Sequence, residues 1–298
     1  MASYLRPTRL EDALDALARD AANLPTNPLD RLTLVAGATD FYPAATTRQA
    51  WFQPHPQNIL DITGLSELRG ISEHGSGFRI GALTTWSDLI AARLPAAFDA
   101  LKQASRQVGG VQIQNRGSLA GNLCNASPAA DGVPPLLALD AEVELTALDG
   151  IRRLPLSRFI LGNRRTALRP DEMLTAIHLP RPGDGERSSF LKLGARSYLV
   201  ISIASVAANI VLAPDGSIRR VRIAVGACSA VPQRLTRLEE TLARLSLPEA
   251  ILACDDNAFE DLTPMDDIRA TASYRRQAVR ILVKRALADL CTLQERAA

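Results

Sequence analysis

The stretch LVAGATDF (residues 34–41) is one of two segments that set the fold of this 298-residue chain. It reads as a buried strand that runs into small residues around Gly37. Such a turn lets backbone N–H groups come close to phosphate oxygens, and Thr39 adds a hydroxyl donor. A single glycine-containing turn is a weak signal, so this segment alone equally fits an ordinary strand-to-loop turn.

The second segment, RGSLAGNLCNASPAAD (residues 116–131), combines glycines with side-chain donors and one carboxylate. Its backbone amides and Ser118 suit a diphosphate, Asn122 suits a turn cap or a phosphate contact, and Asp131 suits ribose hydroxyls. Two separated loops that converge on one anion predict a dinucleotide site. Because no GxGxxG motif occurs in the chain, this site differs from a Rossmann fold. Residues 109–135 as a whole are predicted to form one long, irregular functional loop.

Periodicity around these segments predicts an α+β protein with two domains. RPGDGERSS (residues 181–189) is rich in proline, glycine and charge, and it marks the domain boundary. The predicted strands are residues 32–35, 59–62, 78–80, 141–148, 190–193, 205–212 and 218–224, with a hairpin turn at 213–216. The predicted helices are residues 9–19, a segment after Thr84 that Pro95 splits in two, 232–245 and 273–290.

Composition excludes several classes of protein. The net charge of +2 gives no field that would point to nucleic acid or to an anionic membrane. No apolar run approaches the ~20 residues of a membrane span or forms a signal peptide, so we expect a soluble, cytoplasmic protein. The four cysteines (Cys124, Cys228, Cys254 and Cys291) are scattered without a CxxC pair. We therefore expect buried free thiols and no iron–sulfur or zinc site in this chain.

Other reactive or aromatic residues are interpreted as structural. The three histidines lack metal-binding spacing, and the serines near glycine lack the GxSxG elbow of hydrolases. We therefore predict neither catalytic residues nor metal ligands in this chain. A basic cluster is predicted to be a solvated face or a partner contact, and both tryptophans are predicted to be packing residues. The residues concerned are His55, His74, His178, Ser118, Ser127, Arg164, Arg165, Arg169, Trp51 and Trp86.

Taken together, the two segments resemble those of a known family. LVAGATDFYP (34–43) and NRGSLAGNLCNASPAADGVPPLLAL (115–139) resemble the two FAD-binding signatures of the molybdenum hydroxylase flavoproteins. These signatures usually read close to VAGGTD and TIGGNIxxASPxxD. Segments 161–180, 192–196, 218–235 and 263–287 resemble later parts of the same family. The resemblance implies a two-part FAD-binding domain of the PCMH type (residues 1–182). A smaller α+β C-terminal domain, an antiparallel sheet with helices, follows it (residues 187–292).

The resemblance also implies cofactor contacts at matching positions. It places residues 34–41 at the diphosphate and the neighbouring isoalloxazine, and residues 118–122 at the diphosphate. It places Asp131 at the sugar, Val108 at the adenine, and Leu174 and Lys192 near the flavin ring and its edge. A cation there would stabilise the anionic reduced flavin, although a solvated strand-end lysine is an equally simple interpretation of Lys192. In full, the implied contacts are Leu34, Val35, Ala36, Gly37, Ala38, Thr39, Asp40, Phe41, Val108, Ser118, Leu119, Ala120, Gly121, Asn122, Asp131, Leu174 and Lys192.

The chain departs from the family pattern at a few positions. Ala38 and Ala120 replace usual glycines, and Leu199 to Ser202 replace a usual Asp-Ile-Ala. Some family members carry a histidine in the first loop. In this chain that position is Ala38 or Thr39, so we expect FAD to be bound non-covalently.

The function implied by the resemblance is an electron relay. A large subunit with a molybdenum–pterin cofactor would oxidise the substrate, and 2Fe–2S clusters of a small subunit would pass electrons to FAD in this chain. The acceptor would be NAD⁺, O₂ or a quinone-linked carrier. The assembly would be a heterotrimer or a dimer of heterotrimers, and its substrate is set in another chain. The sequence leaves two alternatives open: a stand-alone flavin oxidase, and a nucleotide-binding regulatory protein that has lost flavin.

Overall fold

The computed structural model describes residues 3–295 of the chain. Its strands are β1 (Ser3–Leu5), β2 (Thr33–Val35), β3 (Asn58–Asp61), β4 (Ile71–His74), β5 (Gly77–Gly81), β6 (Glu142–Ala147), β7 (Gly150–Pro155), β8 (Ile160–Gly162), β9 (Arg165–Thr166), β10 (Met173–Pro180), β11 (Arg187–Leu193), β12 (Ala204–Leu212), β13 (Ile218–Gly226) and β14 (Gln233–Arg234). Its helices are α1 (Leu10–Ala22), α2 (Phe41–Ala50), α3 (Trp86–Ala91), α4 (Asp99–Gln107), α5 (Val111–Gln114), α6 (Leu119–Asn125), α7 (Val133–Ala138), α8 (Leu156–Phe159), α9 (Thr236–Leu242), α10 (Leu247–Ala253) and α11 (Ala272–Glu295).

The chain begins with a small parallel sheet in the order β1-β3-β2. Helix α1 buries Ala13, Leu14, Ala16 and Leu17, which recur at the spacing of one helical face. Strand β2 pairs in parallel with β3 and ends at Val35, opposite Asp61. The first glycine-containing loop therefore leaves the carboxyl end of a strand that is fixed by its neighbour.

A five-stranded antiparallel sheet follows, in the order β4-β5-β10-β6-β7. Trp86 and Phe98 lie in its core at 2% and 0% exposure, and Phe98 meets Phe78 edge-on with ring centroids 4.9 Å apart. Thr85 caps α3 through a capping box with Asp88, at the start of the helical segment predicted after Thr84. Pro95 lies in the break between α3 and α4, which confirms the predicted split.

Residues 109–135 are not one irregular loop, so that prediction is wrong. They contain α5, α6 and α7. Ser118 accepts a hydrogen bond from Gly121 N–H and caps α6, while α7 has prolines in its first turn. Proline is tolerated there because the first N–H groups of a helix lack intrahelical acceptors. Because glycine and proline were interpreted only as helix breakers, these short helices were not predicted, and α2 was not predicted either.

The C-terminal part is a four-stranded antiparallel sheet in the order β11-β12-β13-β14. Alternate residues of β12 face two cores. Val206, Ala208 and Ile210 belong to a cluster shared with α9, α10 and α11, whereas Ala207 packs into the core of the N-terminal part. The predicted hairpin turn is confirmed by Gly216, whose N–H donates to Ala213 O at 2.9 Å and whose φ is +85°.

The predicted α+β architecture is therefore confirmed: a part with a parallel sheet and a five-stranded antiparallel sheet is followed by a smaller part with an antiparallel sheet and helices. Strand β11 begins within the stretch predicted as a linker, at Arg187. Between residues 3 and 295, none of the helices is both long enough and apolar enough to cross a membrane.

Candidate cofactor cleft

The two glycine-containing segments meet backbone to backbone. A Cβ atom placed on Gly37 would lie 1.8 Å from the carbonyl oxygen of Arg116 and 2.9 Å from Cα of Gly117. Both distances are far below van der Waals contact, so only glycine permits this approach. Gly37 and Gly121 line the same cleft, which confirms the predicted convergence of the two loops.

The cleft has a volume of about 580 Å³, within the ordinary range of small-molecule sites. It takes in all of residues 34–41. From the rest of the predicted set it is lined by Val108, Ser118, Ala120, Gly121, Asn122 and Leu174. Leu119, Asp131 and Lys192 are not among its lining residues.

Backbone donors gather at one end of the cleft. In the part of the chain that the structure describes, the N–H groups of residues 37–41 have no hydrogen-bond acceptor. Helix α2 starts at Phe41, so the positive end of its dipole adds to this field. Across the cleft, the Ala120 N–H likewise lacks an acceptor among residues 3–295. Such clusters of oriented amides bind anionic oxygens.

Asn122 and Leu174 are held in place by their own elements. Asn122 Oδ1 accepts a hydrogen bond from Gly132 N–H at 3.2 Å, which ties α6 to the residue that precedes α7. Leu174 lies on β10, beside a register shift against β6, and is 3% exposed. It gives the cleft an apolar wall, which suits the flat face of an aromatic ring.

Charged residues surround the opening, and sequence reasoning missed most of them. Arg164 donates to Asn125 Oδ1, and Asn125 Nδ2 donates to Asp40 Oδ1 at 3.1 Å. Arg164 and Arg169 line the cleft, a position that neither predicted interpretation of this basic cluster, a solvated face or a partner contact, included. The other missed lining residues include Arg48, Ile113, Cys124, Asn125 and Glu172. Nothing in the local sequence around these residues indicates a binding site, because only the folded chain brings them to the cleft.

Glu172 is a buried acid on the cleft wall. Arg152 donates to its two oxygens at 2.6 and 2.8 Å, and the Arg169 N–H donates at 2.8 Å. Burial raises the pKa of Glu172, but these hydrogen bonds outweigh burial and hold its pKa below the ordinary value of 4.5. Glu172 is therefore ionised at neutral pH and neutralises part of the arginine charge.

Asp131 and Lys192 form a buried ion pair behind the cleft wall. Lys192 Nζ donates to Asp131 Oδ2 at 2.7 Å and to Gln107 O at 3.2 Å, and the Ser202 hydroxyl donates to Asp131 Oδ1. Burial raises the pKa of Asp131, and Lys192 and Ser202 act in the opposite direction. Lys192 is thus not the solvated strand-end lysine that the sequence allowed. Leu119 lies fully buried in the core at the start of α6.

Of the two tryptophans that were predicted to be packing residues, one is buried and the other is exposed. Trp86 is a packing residue as predicted, but Trp51 is 74% exposed, so the prediction of packing is wrong there. Trp51 follows the end of α2, a helix that itself buries no residue. His178 is part of a polar cluster on the five-stranded sheet, where its Nε2 lies 2.8 Å from Glu144 Oε2.

Two family models match almost the whole chain. One describes the FAD-binding domain in molybdopterin dehydrogenases and matches residues 1–182. The other describes the C-terminal domain of the CO dehydrogenase flavoprotein and matches residues 189–290. The chain belongs to this flavoprotein family. It is an FAD-binding subunit of the molybdenum hydroxylase type, within a molybdenum-containing oxidoreductase.

Individual relatives agree with this family. A putative xanthine dehydrogenase FAD-binding subunit of Escherichia coli (strain K12) is 31% identical over 298 residues, covering 97% of this chain and 95% of that protein. The carbon monoxide dehydrogenase medium chain of Hydrogenophaga pseudoflava is 30% identical over 263 residues, covering 85% and 87%. A solved structure of carbon monoxide dehydrogenase from the same organism superposes with a TM-score of 0.86 at 27% identity, covering 96% of each chain.

The residues present in the cleft fit FAD. The amides of residues 37–41 lack acceptors among the described residues, as a diphosphate site requires. The contact at Gly37 joins the two loops that would hold this diphosphate. Apolar walls from Val35, Val108 and Leu174 suit the ring systems.

Proposed function

We propose that this chain relays electrons from 2Fe–2S clusters of a partner subunit, through FAD in the two-loop cleft, to NAD⁺ or another acceptor. One observation carries the proposal. Gly37 contacts Arg116 and Gly117, so the two loops border a single cleft. The backbone N–H groups of residues 37–41 have no acceptor among the described residues, which suits an anionic ligand. FAD supplies the redox chemistry when bound, and the residues of the chain bind and orient it.

Each predicted site residue then has a proposed role. Residues 34–41 hold the diphosphate and contact the neighbouring isoalloxazine, and residues 118–122 hold the diphosphate. Val108 packs on the adenine, and Leu174 packs on the flavin ring. Asp131 and Lys192 pair with each other and do not line the cleft, so in place of the predicted sugar and flavin-edge contacts we propose that the pair supports the cleft from the protein interior. This proposal is supported by the hydrogen bond from Lys192 Nζ to Gln107 O, because the next residue in sequence, Val108, lines the cleft.

We also propose the assembly, the domain bounds and the compartment. The partners are a large subunit with the molybdenum cofactor and a small subunit with 2Fe–2S clusters, in a heterotrimer or a dimer of heterotrimers. Domains at residues 1–182 and 187–292 are supported by two hydrophobic clusters. The first lies within residues 13–179 apart from Phe190, Ala207 and Ala224, and the second lies within residues 204–290. The four cysteines are free, which supports a reducing compartment such as the cytoplasm.

The test is affinity purification from the native host, followed by absorbance, metal analysis and native mass measurement. We expect flavin bands, two further chains, and iron and molybdenum in the complex. The chain alone should take up FAD without oxidising an organic substrate. A lone chain that turns over substrate would show a flavin oxidase, and failure to take up FAD would show a regulatory protein.

A further inference from the structure

The C-terminal part of the chain is joined to the cofactor cleft indirectly. The residues that line the cleft run from Leu17 to Leu174, so among residues 3–295 the C-terminal part contributes none of them. One backbone contact joins it to the second glycine-containing segment. The N–H of Ala227, which follows β13, donates to Pro128 O at 2.8 Å. Pro128 lies shortly after the end of α6, and α6 lines the cleft. Ala227 therefore holds the exit of a helix that borders the cleft.

The backbone of Ala227 has an unfavourable conformation. Its φ is +63°, in the left-handed region that residues with a Cβ atom rarely adopt. Such conformations persist only where the surrounding structure enforces them, and they cluster at functional sites. Both polar backbone groups of Ala227 are bonded, because its carbonyl oxygen accepts a hydrogen bond from the Arg275 guanidinium at 3.0 Å. The residue is thus held between Pro128 on one side and Arg275 on the other.

Arg275 is a buried cation in an unfavourable position. It is 2% exposed and lies in the first turn of α11, where the helix dipole disfavours positive charge. Its guanidinium also donates to Ile203 O and, at 2.6 Å, to Asp267 Oδ1. Its Nε has no hydrogen-bond partner in the described part of the chain. Burying an arginine in this way costs free energy, so the stability of α11 alone does not explain its position.

Asp267 fixes the orientation of the Arg275 guanidinium. While its Oδ1 accepts from Arg275, its Oδ2 accepts from Arg269 Nε at 2.9 Å. Burial raises the pKa of Asp267, but the hydrogen bonds from Arg269 and Arg275 outweigh burial and hold this pKa far below its ordinary value of 3.8. Asp267 is therefore ionised at neutral pH. Because a guanidinium is planar and rigid, a carboxylate bound at one edge determines where its other N–H groups point.

We infer that Arg275 is a positioning residue for cofactor binding. Held by Asp267, it fixes Ala227 in a strained conformation, and the Ala227 N–H fixes Pro128 at the exit of α6. The start of α6 carries the Ala120 N–H, which lacks an acceptor among the described residues and faces the cleft. The inference rests on the proposed function, because FAD is the ligand that this helix would bind. The C-terminal part thus contributes to FAD binding without lining the cleft.

The test measures FAD affinity in the complex purified through a tag on this chain, after removal of its flavin. Arg275→Met removes the guanidinium, and Asp267→Asn weakens its anchor while preserving the fold of α11. Leu242→Ala is the control for loss of stability, because Leu242 is fully buried in the second cluster. Asp256→Asn is the control for loss of an ion pair, because Asp256 pairs with Arg280 on the same helix. The readouts are the Kd for FAD, the visible circular dichroism of bound flavin and the thermal midpoint without FAD.

We expect Arg275→Met to raise the Kd for FAD roughly tenfold and Asp267→Asn roughly threefold, because α6 is no longer preorganised. Both should alter the circular dichroism of the flavin. Leu242→Ala should lower the thermal midpoint, yet both controls should keep the Kd within about twofold of the wild type. An unchanged Kd in the Asp267 variant would overturn the inference even if the Arg275 variant did not fold, as would an equal rise in Leu242→Ala. If the wild-type complex took up no FAD, the proposed function would fail instead.

Discussion

The cofactor cleft and the junction formed by Asp131, Lys192 and Ser202 are both polar sites in this molecule, but they satisfy their polar groups differently. In the cleft, the N–H groups of residues 37–41 lack acceptors among the described residues. At the junction, Asp131 accepts hydrogen bonds from Lys192 and Ser202 in the buried interior. Buried polar groups are costly without partners. The polar groups of the junction are thus paired within the chain, whereas the N–H groups of the cleft are open to a ligand.

The two regions should therefore respond differently to FAD. A ligand that binds only the folded state adds stability that grows with the logarithm of the ratio of its concentration to its Kd. The cleft should gain stability only when FAD is bound, whereas the junction should contribute equally with and without it. Substitutions at four places in the chain test this distinction, and we expect their effects to decrease in the order Asp131, Gly37, Glu172, and Ala38 with Ala120.

Asp131→Ala should have the largest effect, because it leaves the Lys192 ammonium buried and unpaired at 5% side-chain exposure. Removing one partner of a buried pair costs about 3–5 kcal/mol. Chemical denaturation with and without FAD should show the same loss of unfolding free energy. Adding Lys192→Met should restore most of it.

The exposed ion pair between Asp149 and Arg169 offers a control for the Asp131 variant. Asp149→Ala removes the exposed partner of Arg169 and should cost less than about 1 kcal/mol. A loss of stability confined to the FAD-bound Asp131 variant would contradict the junction role. That result would instead show that this carboxylate acts directly on the cofactor.

Gly37→Ala should separate the two loops, since the new methyl group would lie 1.8 Å from Arg116 O. Overpacking of this kind costs about 1–3 kcal/mol, and we expect FAD uptake, measured by absorbance after reconstitution, to be lost. Gly75→Ala is the matched control because its Cβ would meet nothing within 4 Å. Normal FAD uptake by the Gly37 variant would show that the loop contact is not required.

Glu172→Gln should cost about 1–2 kcal/mol at neutral pH, because hydrogen bonds to a charged group are lost. Its folded-state pKa lies below the ordinary 4.5, so the stability it contributes is present above pH 4.5 and is lost as pH falls through the folded value. Denaturation curves between pH 7 and pH 3 should show the variant and the wild type converging. Exposed Glu240→Gln is the control, and a constant difference across this range would argue against the prediction.

The two alanines that replace family glycines should respond in opposite directions. Ala38 has a φ of +61°, so Ala38→Gly should raise the unfolding free energy by about 0.5–1 kcal/mol. Ala120 lies within α6, so Ala120→Gly should lower it by about the same amount. Thermal unfolding of both variants, with and without FAD, checks this. Changes of the same sign in both variants would mean that backbone conformation does not determine how these substitutions affect the unfolding free energy.

Much of the site could be predicted from the sequence, because backbone binding of an anion needs small residues in a fixed local order. Gly37, Ser118 and Gly121 carry that order in two short segments, and the structure brings them to one cleft. The capped start of α3 and the turn ending at Gly216 were predictable for the same reason. Each depends on neighbours a few residues away.

The partners of groups that are distant in sequence emerged only from the folded chain. Lys192 and Asp131 are 61 residues apart, and nothing local to either residue states that they meet. Helix α2 could not be predicted from an apolar periodicity, because it has no apolar stripe. Accordingly, none of its residues is buried in the described part of the chain. Local order fixes backbone conformation, whereas burial and charge pairing depend on which surfaces the whole fold brings together.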